Sequence, residues 1–588
     1  MGGQAAGPAF SFSPGAHRAK RPRRPLLPAR QPLDLLSMTE KRSGGRILTD
    51  NLLAQGCDRI FHVPGESFLA VLDALHDTPA IDLVTCRQEG GAAFMACADG
   101  ALIGKPGVCF VTRGPGATNA SIGVHVAMQD SIPMLLFIGD VDRSMRGREG
   151  FQEIDFPAMF APISKWATRI EDAARIPEYV ARAWRVATGG RPGPVVIALP
   201  EDMLKDRVTA TDRPRLATPQ RGLDPDALTP MLDLLRTAER PVAIIGGAGW
   251  DAATGEAFDA FARGWGLPVA GAFRRQDAIS NTSPVWAGNL GYGPNPRLVE
   301  RVKQADLILA IGARLGEATT DGYSLITPDH PGQTLVHVHP DANEIDSVYR
   351  TDLAIVAGMA DFAAALAATE PPSAPHPAAA QANGEWRKWS TPALREGVAL
   401  DLGQCVAAMR ERLTPDDTII CNGAGNFSAW WHRYWRYGHL GTQLAPTAGA
   451  MGYGVPAAVA AALRRPEKTA IALAGDGDFL MNGQELATAA QHGANLLVIL
   501  IDNGGYGTIR MHQEREYPER VSGTALANPD FSALTRAYGG WAESVERTEQ
   551  FAPALDRALS RNGIRLIHCR TDMEYINPAT TIAKMRVN

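Results

Sequence analysis

Along this chain, short apolar runs end repeatedly at glycine-rich polar turns and are followed by segments of helical spacing. The clearest case begins at residues 469–474, which run into Gly475-Asp476-Gly477. A helix-like stretch follows, and a second apolar run, residues 496–501, ends at Asp502-Asn503. Apolar runs this short, bounded by turn residues, read as buried strands. The order strand–loop–helix–strand predicts a βαβ unit with parallel strands. It places Asp476 and Asn503 at the carboxyl ends of two strands, where open α/β sheets bind ligands.

The chain carries an echo of this unit. Residues 108–141, laid over the segment starting at Thr469 without a gap, bring two Gly-x-Gly turns into coincidence. The second apolar runs also coincide, LLFI at Leu135 and LLVI at Leu496. Identity elsewhere is low, so the evidence is the pattern. Two such units at opposite ends of a chain suggest two related domains, although any two βαβ units share this outline. Between them, strand-like stretches at 241–249, 305–314 and 334–341 give a Rossmann-like middle section. The expected fold class is α/β, with three doubly wound parallel-sheet domains. The expected boundaries are a leader at 1–42, a first domain at 43–212, a linker at 213–223 and a middle domain at 224–370. A second linker at 371–390 and a last domain at 391–588 complete the chain.

Composition narrows the class. The 588 residues are 45% hydrophobic and 21% charged, ordinary for a globular protein. A net charge of −5 offers no footprint for nucleic acid. No apolar run approaches a membrane span. Seven cysteines, at 57, 86, 97, 109, 405, 421 and 569, are scattered without a CxxC. They suggest a reducing, cytoplasmic setting and no structural metal. The first 37 residues are rich in Pro, Gly, Ala and Arg, with no acid before Asp34. They lack the apolar core of a secretory signal, and their prolines oppose a transit-peptide helix. A disordered leader is expected, with Met38 opening an ordinary domain start.

The strand ends carry the chemistry. A carboxylate at 476 and an amide oxygen at 503 are hard donors suited to Mg²⁺, which leaves further positions to water and phosphate. The glycines let backbone N–H groups approach an anion. Alone, Gly-Asp-Gly after a strand is most often only a tight turn. The spacing to a second donor changes that weighting. The pattern resembles the thiamine diphosphate motif, which begins Gly-Asp-Gly and ends in an Asn pair. Here the first of the pair is Asp502 and the presumed ligand Asn503 is retained. The resemblance implies Mg²⁺ ligands at Asp476, Asn503 and Gly505, with Gly477, Asp478 and Gly505 around the diphosphate. It adds Gly425 and Asn426 in the turn 423–426, and Gly449 and Met451 in GAMGYGVP. By that match the Gly449 carbonyl accepts from the cofactor amine, and Met451 backs the bent cofactor. Without the match, Met451 would read as core filling.

Glu89 follows a short apolar strand and opens an Ala-rich segment. In isolation it reads as an acid serving the helix macrodipole. The stretches Gln-Glu-Gly-Gly-Ala-Ala and Gly-Pro-Gly-Ala-Thr-Asn resemble the acetolactate synthase group. That resemblance makes Glu89 the activating acid, which shares a proton with the cofactor's pyrimidine ring. It extends from Ser43 to the C-terminus and implies the order pyrimidine-binding, middle, diphosphate-binding domain. RPGPVVIALPED at 191–202 supports it, and Phe151 and Gln152 match residues lining the active-site channel.

The departures bear on substrate. Where the acetolactate synthases have a Trp after the metal-binding Asn, this chain has His512. Where they have an Arg four residues beyond Gly-Ala-Arg, here Gly312-Ala313-Arg314, it has Ala318. The Lys after Leu-Pro is Glu201, and Pro-Gly-Gly-Ala has become Pro64-Gly65-Glu66-Ser67. Glu66 stands 23 residues before Glu89, the spacing of an acid in pyruvate-decarboxylase-like sequences. Glu66, Gln152 and His512 are therefore candidate substrate-side residues. Related enzymes bind FAD in the middle domain. Gly246-Gly247-Ala248-Gly249 is retained, but the acidic run after Arg314 is altered, so FAD stays an open expectation. The implied activity is a thiamine diphosphate- and Mg²⁺-dependent decarboxylase or carboligase, acting on a small 2-oxo acid donor and a carbonyl acceptor. Its site would be shared between chains of a homodimer or homotetramer. A flavin-dependent oxidase and a catalytically silent regulatory homologue are the alternatives.

Overall fold

The computed structural model of the protein describes residues 40–216, 222–247 and 249–587. Residues 1–39 of the expected leader, 217–221 of the first expected linker and Ala248 lie outside the described residues. Three six-stranded sheets, each wholly parallel, carry the rest.

The first sheet is built from β1 (Arg59–His62), β2 (Asp82–Thr85), β3 (Gly107–Val111), β4 (Met134–Asp140), β5 (Trp166–Arg169) and β6 (Pro194–Pro200), in the order β2-β1-β3-β4-β6-β5. The middle sheet holds β7 (Pro241–Ile245), β8 (Val269–Gly271), β9 (Trp286–Asn289), β10 (Leu307–Ile311), β11 (Thr334–His339) and β12 (Leu353–Val356), in the order β9-β8-β7-β10-β11-β12. The last holds β13 (Thr418–Asn422), β14 (Gln443–Leu444), β15 (Thr469–Gly475), β16 (Leu496–Asp502), β17 (Trp541–Val545) and β18 (Ile564–Arg570), in the order β14-β13-β15-β16-β18-β17. The central strands are buried along nearly their whole length and mostly apolar, because helices cover both faces.

Counted within each domain, the first and last sheets share one strand order, second-first-third-fourth-sixth-fifth. The two segments that overlay in sequence occupy the third and fourth strands of both. Two domains of one fold therefore stand at the ends of the chain. The middle order, third-second-first-fourth-fifth-sixth, is that of dinucleotide-binding folds. In the outer sheets the winding reverses between the first and third strands, which puts a crevice at β1/β3 and another at β13/β15.

One expected linker is structured. Residues 371–390 contain a helix, Ala378–Trp389, that buries Ala378, Ala379, Ala382 and Trp386. Trp386 meets Trp286 of β9 edge-on, 6.4 Å between ring centroids. Prolines at its start made the stretch read as a connector, but its alanines are strong helix formers. The two outer domains share one apolar core. Helix Glu89–Ile103 packs on helix Gly454–Arg464, with Phe94 edge-on to Tyr453 at 5.3 Å. Among the described residues no helix is long and apolar enough to cross a membrane. All seven cysteines are buried and unbridged.

Candidate active site

A cavity of about 240 Å³ opens at the β13/β15 crevice. Its walls include the turn after β13 (Ala424, Gly425, Asn426), the turn at Gly449 and Met451, and the ends of β15 and β16 (Asp476, Gly477, Asp478, Asn503, Gly505), closed by Leu402 and by Thr571, Tyr575 and Ile576. Each cofactor residue expected in the last domain is in this set. Gly449 has φ +68°, a conformation that costs an L-residue energy. Gly477 is needed for close approach, since a Cβ there would lie 2.6 Å from the Tyr506 ring.

Asp476 opens helix Asp476–Asn482 and is 2% exposed. Burial raises its carboxyl pKa, countered by Asn528 and by the Gly477 and Gly505 N–H groups, while the Asp502 charge adds to the rise. Asn528 Nδ2 donates to Asp476 Oδ2 at 2.7 Å and to Asp502 Oδ1 at 2.8 Å. His568 Nε2 sits 2.9 Å from Asp502 Oδ2. Burial alone would lift Asp502, but bonds from His568, the Gly504 N–H and Asn528 hold its carboxyl low. Asn503 Oδ1 is buried with no hydrogen-bond partner. An orphaned amide oxygen that lines the same cavity as a buried carboxylate offers hard oxygen donors suited to a cation. Among the described residues no cluster of three His, Cys, Asp or Glu suits a metal. One carboxylate, one amide and backbone carbonyls instead fit an Mg²⁺ ion that takes its other oxygens from phosphate and water.

Asp478 is buried beside this pair. Burial pushes its carboxyl up to about 7, against N–H bonds from Gly452 and Ala424. It accepts from Gly452 at 2.8 Å and so ties the 449–452 turn to the helix start. Thr508, from helix Gly507–Glu516, accepts the Asn426 N–H at 3.0 Å and donates to Asn426 Oδ1 at 3.2 Å. Asn528, His568 and Thr508 escaped the sequence reading. The only signal was Asn528-Pro-Asp530, a turn pattern that does not say which carboxylates its amide will meet. Asn528→Ala should weaken Mg²⁺-dependent cofactor binding by about 10- to 100-fold, the range for residues that orient metal ligands. Calorimetric titration over a Mg²⁺ series measures it, and an unchanged Mg²⁺ dependence would remove Asn528 from the site.

The first-domain candidates lie elsewhere. Glu89 begins helix Glu89–Ile103 and accepts from Asn119 Nδ2 at 2.9 Å, but it does not line the cavity. It faces the β1/β3 crevice, where a Cβ on Gly116 would stand 3.6 Å from its Oε1. A buried carboxylate of the last domain holds this turn, for Glu485 accepts from Gln88 N at 2.9 Å and Arg87 N at 3.2 Å. Gln152 has φ +63°, and its carbonyl accepts the Gly114 N–H at 3.0 Å. Phe151 is 74% exposed beside it.

Two substrate-side expectations change. His512 is exposed next to Arg515 at 2.7 Å and is absent from the cavity wall. Thr508 and Ile509 of the same helix line the cavity, and Met511 meets Asn426 at 3.4 Å. Residue 512 stands one turn beyond Thr508 and Ile509 on the same helix face, past the end of the cavity wall. Glu66 and Glu201 are not free negative charges. Arg113 binds both, at 2.6 Å each, and Lys205 binds Glu201 at 2.6 Å. Two cations answer two carboxylates, so this cluster carries no uncompensated negative charge. Glu66, held by its own backbone N–H and by Arg113, keeps its carboxyl below the usual range.

The middle crevice lies where the strand order of the middle sheet reverses, and Ala248 in the turn beside it is outside the described residues. In dinucleotide-binding folds the diphosphate rests on the N-terminus of the helix after the first strand. Here that helix, Ala252–Trp265, is capped by the Asp251 carboxylate, which takes the Thr254 N–H at 2.8 Å. The flanking turns abut, since a Cβ on Gly247 would fall 1.8 Å from the Gly312 carbonyl. Arg314 is engaged by Glu344 and the Gln129 carbonyl, at 3.2 Å each.

Comparison with known proteins agrees with this geometry. Residues 423–569 match the family described as "Thiamine pyrophosphate enzyme, C-terminal TPP binding domain". Residues 42–159 match its N-terminal TPP binding domain and 228–366 its central domain. The chain is similar to the acetolactate synthase isozyme 2 large subunit of Escherichia coli (strain K12), 30% identical over 90% of this chain and 96% of that protein. It is similar to acetolactate synthase large subunits from Parasynechococcus marenigrum (strain WH8102), 32% identical over 84% of this chain and 82% of that one, and Lactococcus lactis subsp. lactis (strain IL1403), 32% over 86% and 88%.

Proposed function

The chain belongs to the thiamine pyrophosphate enzymes, in their acetolactate synthase-like family, and from that premise we propose that it decarboxylates a small 2-oxo acid and joins the remaining acyl group to a carbonyl acceptor. The observation that carries this reading is the partnerless Asn503 Oδ1 beside Asp476 at the crevice of the last sheet. Thiamine diphosphate, when bound, supplies the carbon nucleophile and electron sink that loss of CO₂ from a 2-oxo acid requires. Asp476, Asn503 and the Gly505 carbonyl would hold Mg²⁺ against the diphosphate. Met451 and the Gly449 carbonyl would orient the rest of the cofactor. Glu89 would hold a proton on its carboxyl oxygen and pass it to a ring nitrogen.

The cavity wall runs only from Leu402 to Ile576. Glu89 of the same chain is not part of it, so a second copy is the source of the activating acid. The working unit is then a homodimer, alone or paired into a tetramer.

The relatives' names favour acetolactate as the product. Arg314 is already engaged and Ala318 supplies no cation, which favours an acceptor other than 2-oxobutyrate, such as an aldehyde. A competition assay with pyruvate, 2-oxobutyrate and a panel of aldehydes, products resolved by chromatography, decides it. Acetohydroxybutyrate should be a minor product; its efficient synthesis would return the protein to acetolactate synthase duty.

A further inference from the structure

Arg274 is buried at the junction of the middle and last domains, 6% exposed, with φ +57°. Both properties are costly. Desolvation penalises a guanidinium, and the left-handed region is strained for a side chain of this size. Among the described residues it forms no ion pair with a carboxylate, and its Nε has no hydrogen-bond partner. Asp130 and Asp478 attract it only through space, and burial brings its pKa down to about 10, leaving it charged at neutral pH.

What Arg274 does touch are two backbone carbonyls. Nη1 donates to Pro446 O in a short bond, and Nη2 donates to Gly423 O at 3.4 Å. Each belongs to a turn that lines the cavity. Pro446 O also accepts the Gly449 N–H at 3.0 Å, so the guanidinium and Gly449 share one acceptor. Gly423 O also takes Asn422 Nδ2 at 2.8 Å and leads into Ala424, Gly425 and Asn426. The segment that carries Arg274 is keyed into the last domain. Gln276 N donates to Gln443 Oε1 at 2.8 Å, and Asp277 Oδ2 accepts from Gly441 N at 2.8 Å and Gln443 N at 3.0 Å. Phe273 supports the guanidinium from one side, 5.1 Å from its ring centroid.

We propose that Arg274 is a positioning residue for the cofactor: a cation from the middle domain that holds the 423–426 and 446–451 turns of the last domain in their ligand-ready arrangement. The proposal rests on the reading of this cavity as the thiamine diphosphate site. An interdomain core contact made only for stability would be served better by an apolar side chain, because a buried charge without a paired carboxylate costs more than it returns. Among the described residues, the acceptors that Arg274 donates to are the two carbonyls that set these turns. A preformed cradle lowers the ordering that binding would otherwise demand.

The test uses the full-length protein freed of cofactor. Thiamine diphosphate with Mg²⁺ is titrated by calorimetry into wild type, Arg274→Met and Arg274→Lys, and the melting temperature of each is measured without cofactor. Met removes the donors but keeps the stem, so Kd should rise by at least about 10-fold while the cofactor-free melting temperature holds or increases. Lys restores a cation with one donor direction, so its Kd should fall between the two. A Kd for Arg274→Met within twofold of wild type would overturn the proposal. So would a weakened Kd accompanied by an equal weakening of the cofactor-free fold, which is the signature of a merely structural contact. Wild type that fails to bind thiamine diphosphate would instead overturn the reading of the cavity, and the proposal with it.

Discussion

Glu89→Gln should leave thiamine diphosphate binding nearly unchanged and slow turnover by about 10²- to 10⁴-fold, the range supplied by a positioned acid–base group. Glutamine keeps the volume of the side chain and can still accept from Asn119, which lies 2.9 Å from Glu89 Oε2. It cannot carry an exchangeable carboxyl proton. The helix that Glu89 opens is held by other groups, with Gln88 capping Gly91 N at 2.9 Å and Glu485 gripping the turn before it. The substitution should therefore change proton transfer without moving the backbone. NMR exchange of the bound cofactor's thiazolium proton isolates that step from substrate chemistry. An exchange rate equal to wild type would show that Glu89 is not the activating acid.

Asp476→Ala should be more severe for binding, weakening it by more than about 100-fold, beyond the loss typical of a group that merely orients a ligand. The change removes the single buried carboxylate of the proposed metal set and strips Asn528 of one acceptor. Asn503 Oδ1 and backbone carbonyls would be left to offset the charge of Mg²⁺, which neutral oxygens do poorly. A chelator applied to wild type should reproduce the loss, and added Mg²⁺ should reverse it. Wild-type affinity in the Ala variant would place the diphosphate elsewhere.

Asp476 and Asn503 were legible in the sequence for a local reason. The strand that ends in Gly-Asp-Gly and the next strand, which ends in Asp-Asn, pair side by side in the parallel sheet, so two motifs close in sequence bring Asp476 and Asn503 to the same edge. The overlay of 108–141 on the segment at Thr469 worked for the same reason, and both fall on the third and fourth strands of their sheets. The supporting groups were not legible, because they arrive from far along the chain. Asn528 is 52 residues from Asp476, His568 is 66 from Asp502, and Arg274 is 149 from Gly423. Their contacts depend on how loops fold back over the sheet edges, which no periodicity encodes. An ion-pair cluster was hidden in the same way. Glu66 and Glu201 look alike as loop acids, yet Arg113, between them in sequence, binds both in space. The helix at Ala378–Trp389 was hidden by composition, since prolines and alanines before a Trp pair resemble a connector until Trp386 finds Trp286.

The shared site can be tested with two inactive variants. Glu89→Gln and Asp476→Ala chains, carrying different affinity tags, are exchanged and the mixed dimers isolated by two successive tag purifications. If Glu89 of one chain serves the Asp476 cavity of the other, each mixed dimer has one site with both defects and one with neither. Such dimers should regain a large part of the turnover per intact site, with thiamine diphosphate bound at about one site in two. Mixed dimers as inactive as their parents would contradict this, and would return Glu89 and Asp476 to separate or unrelated sites.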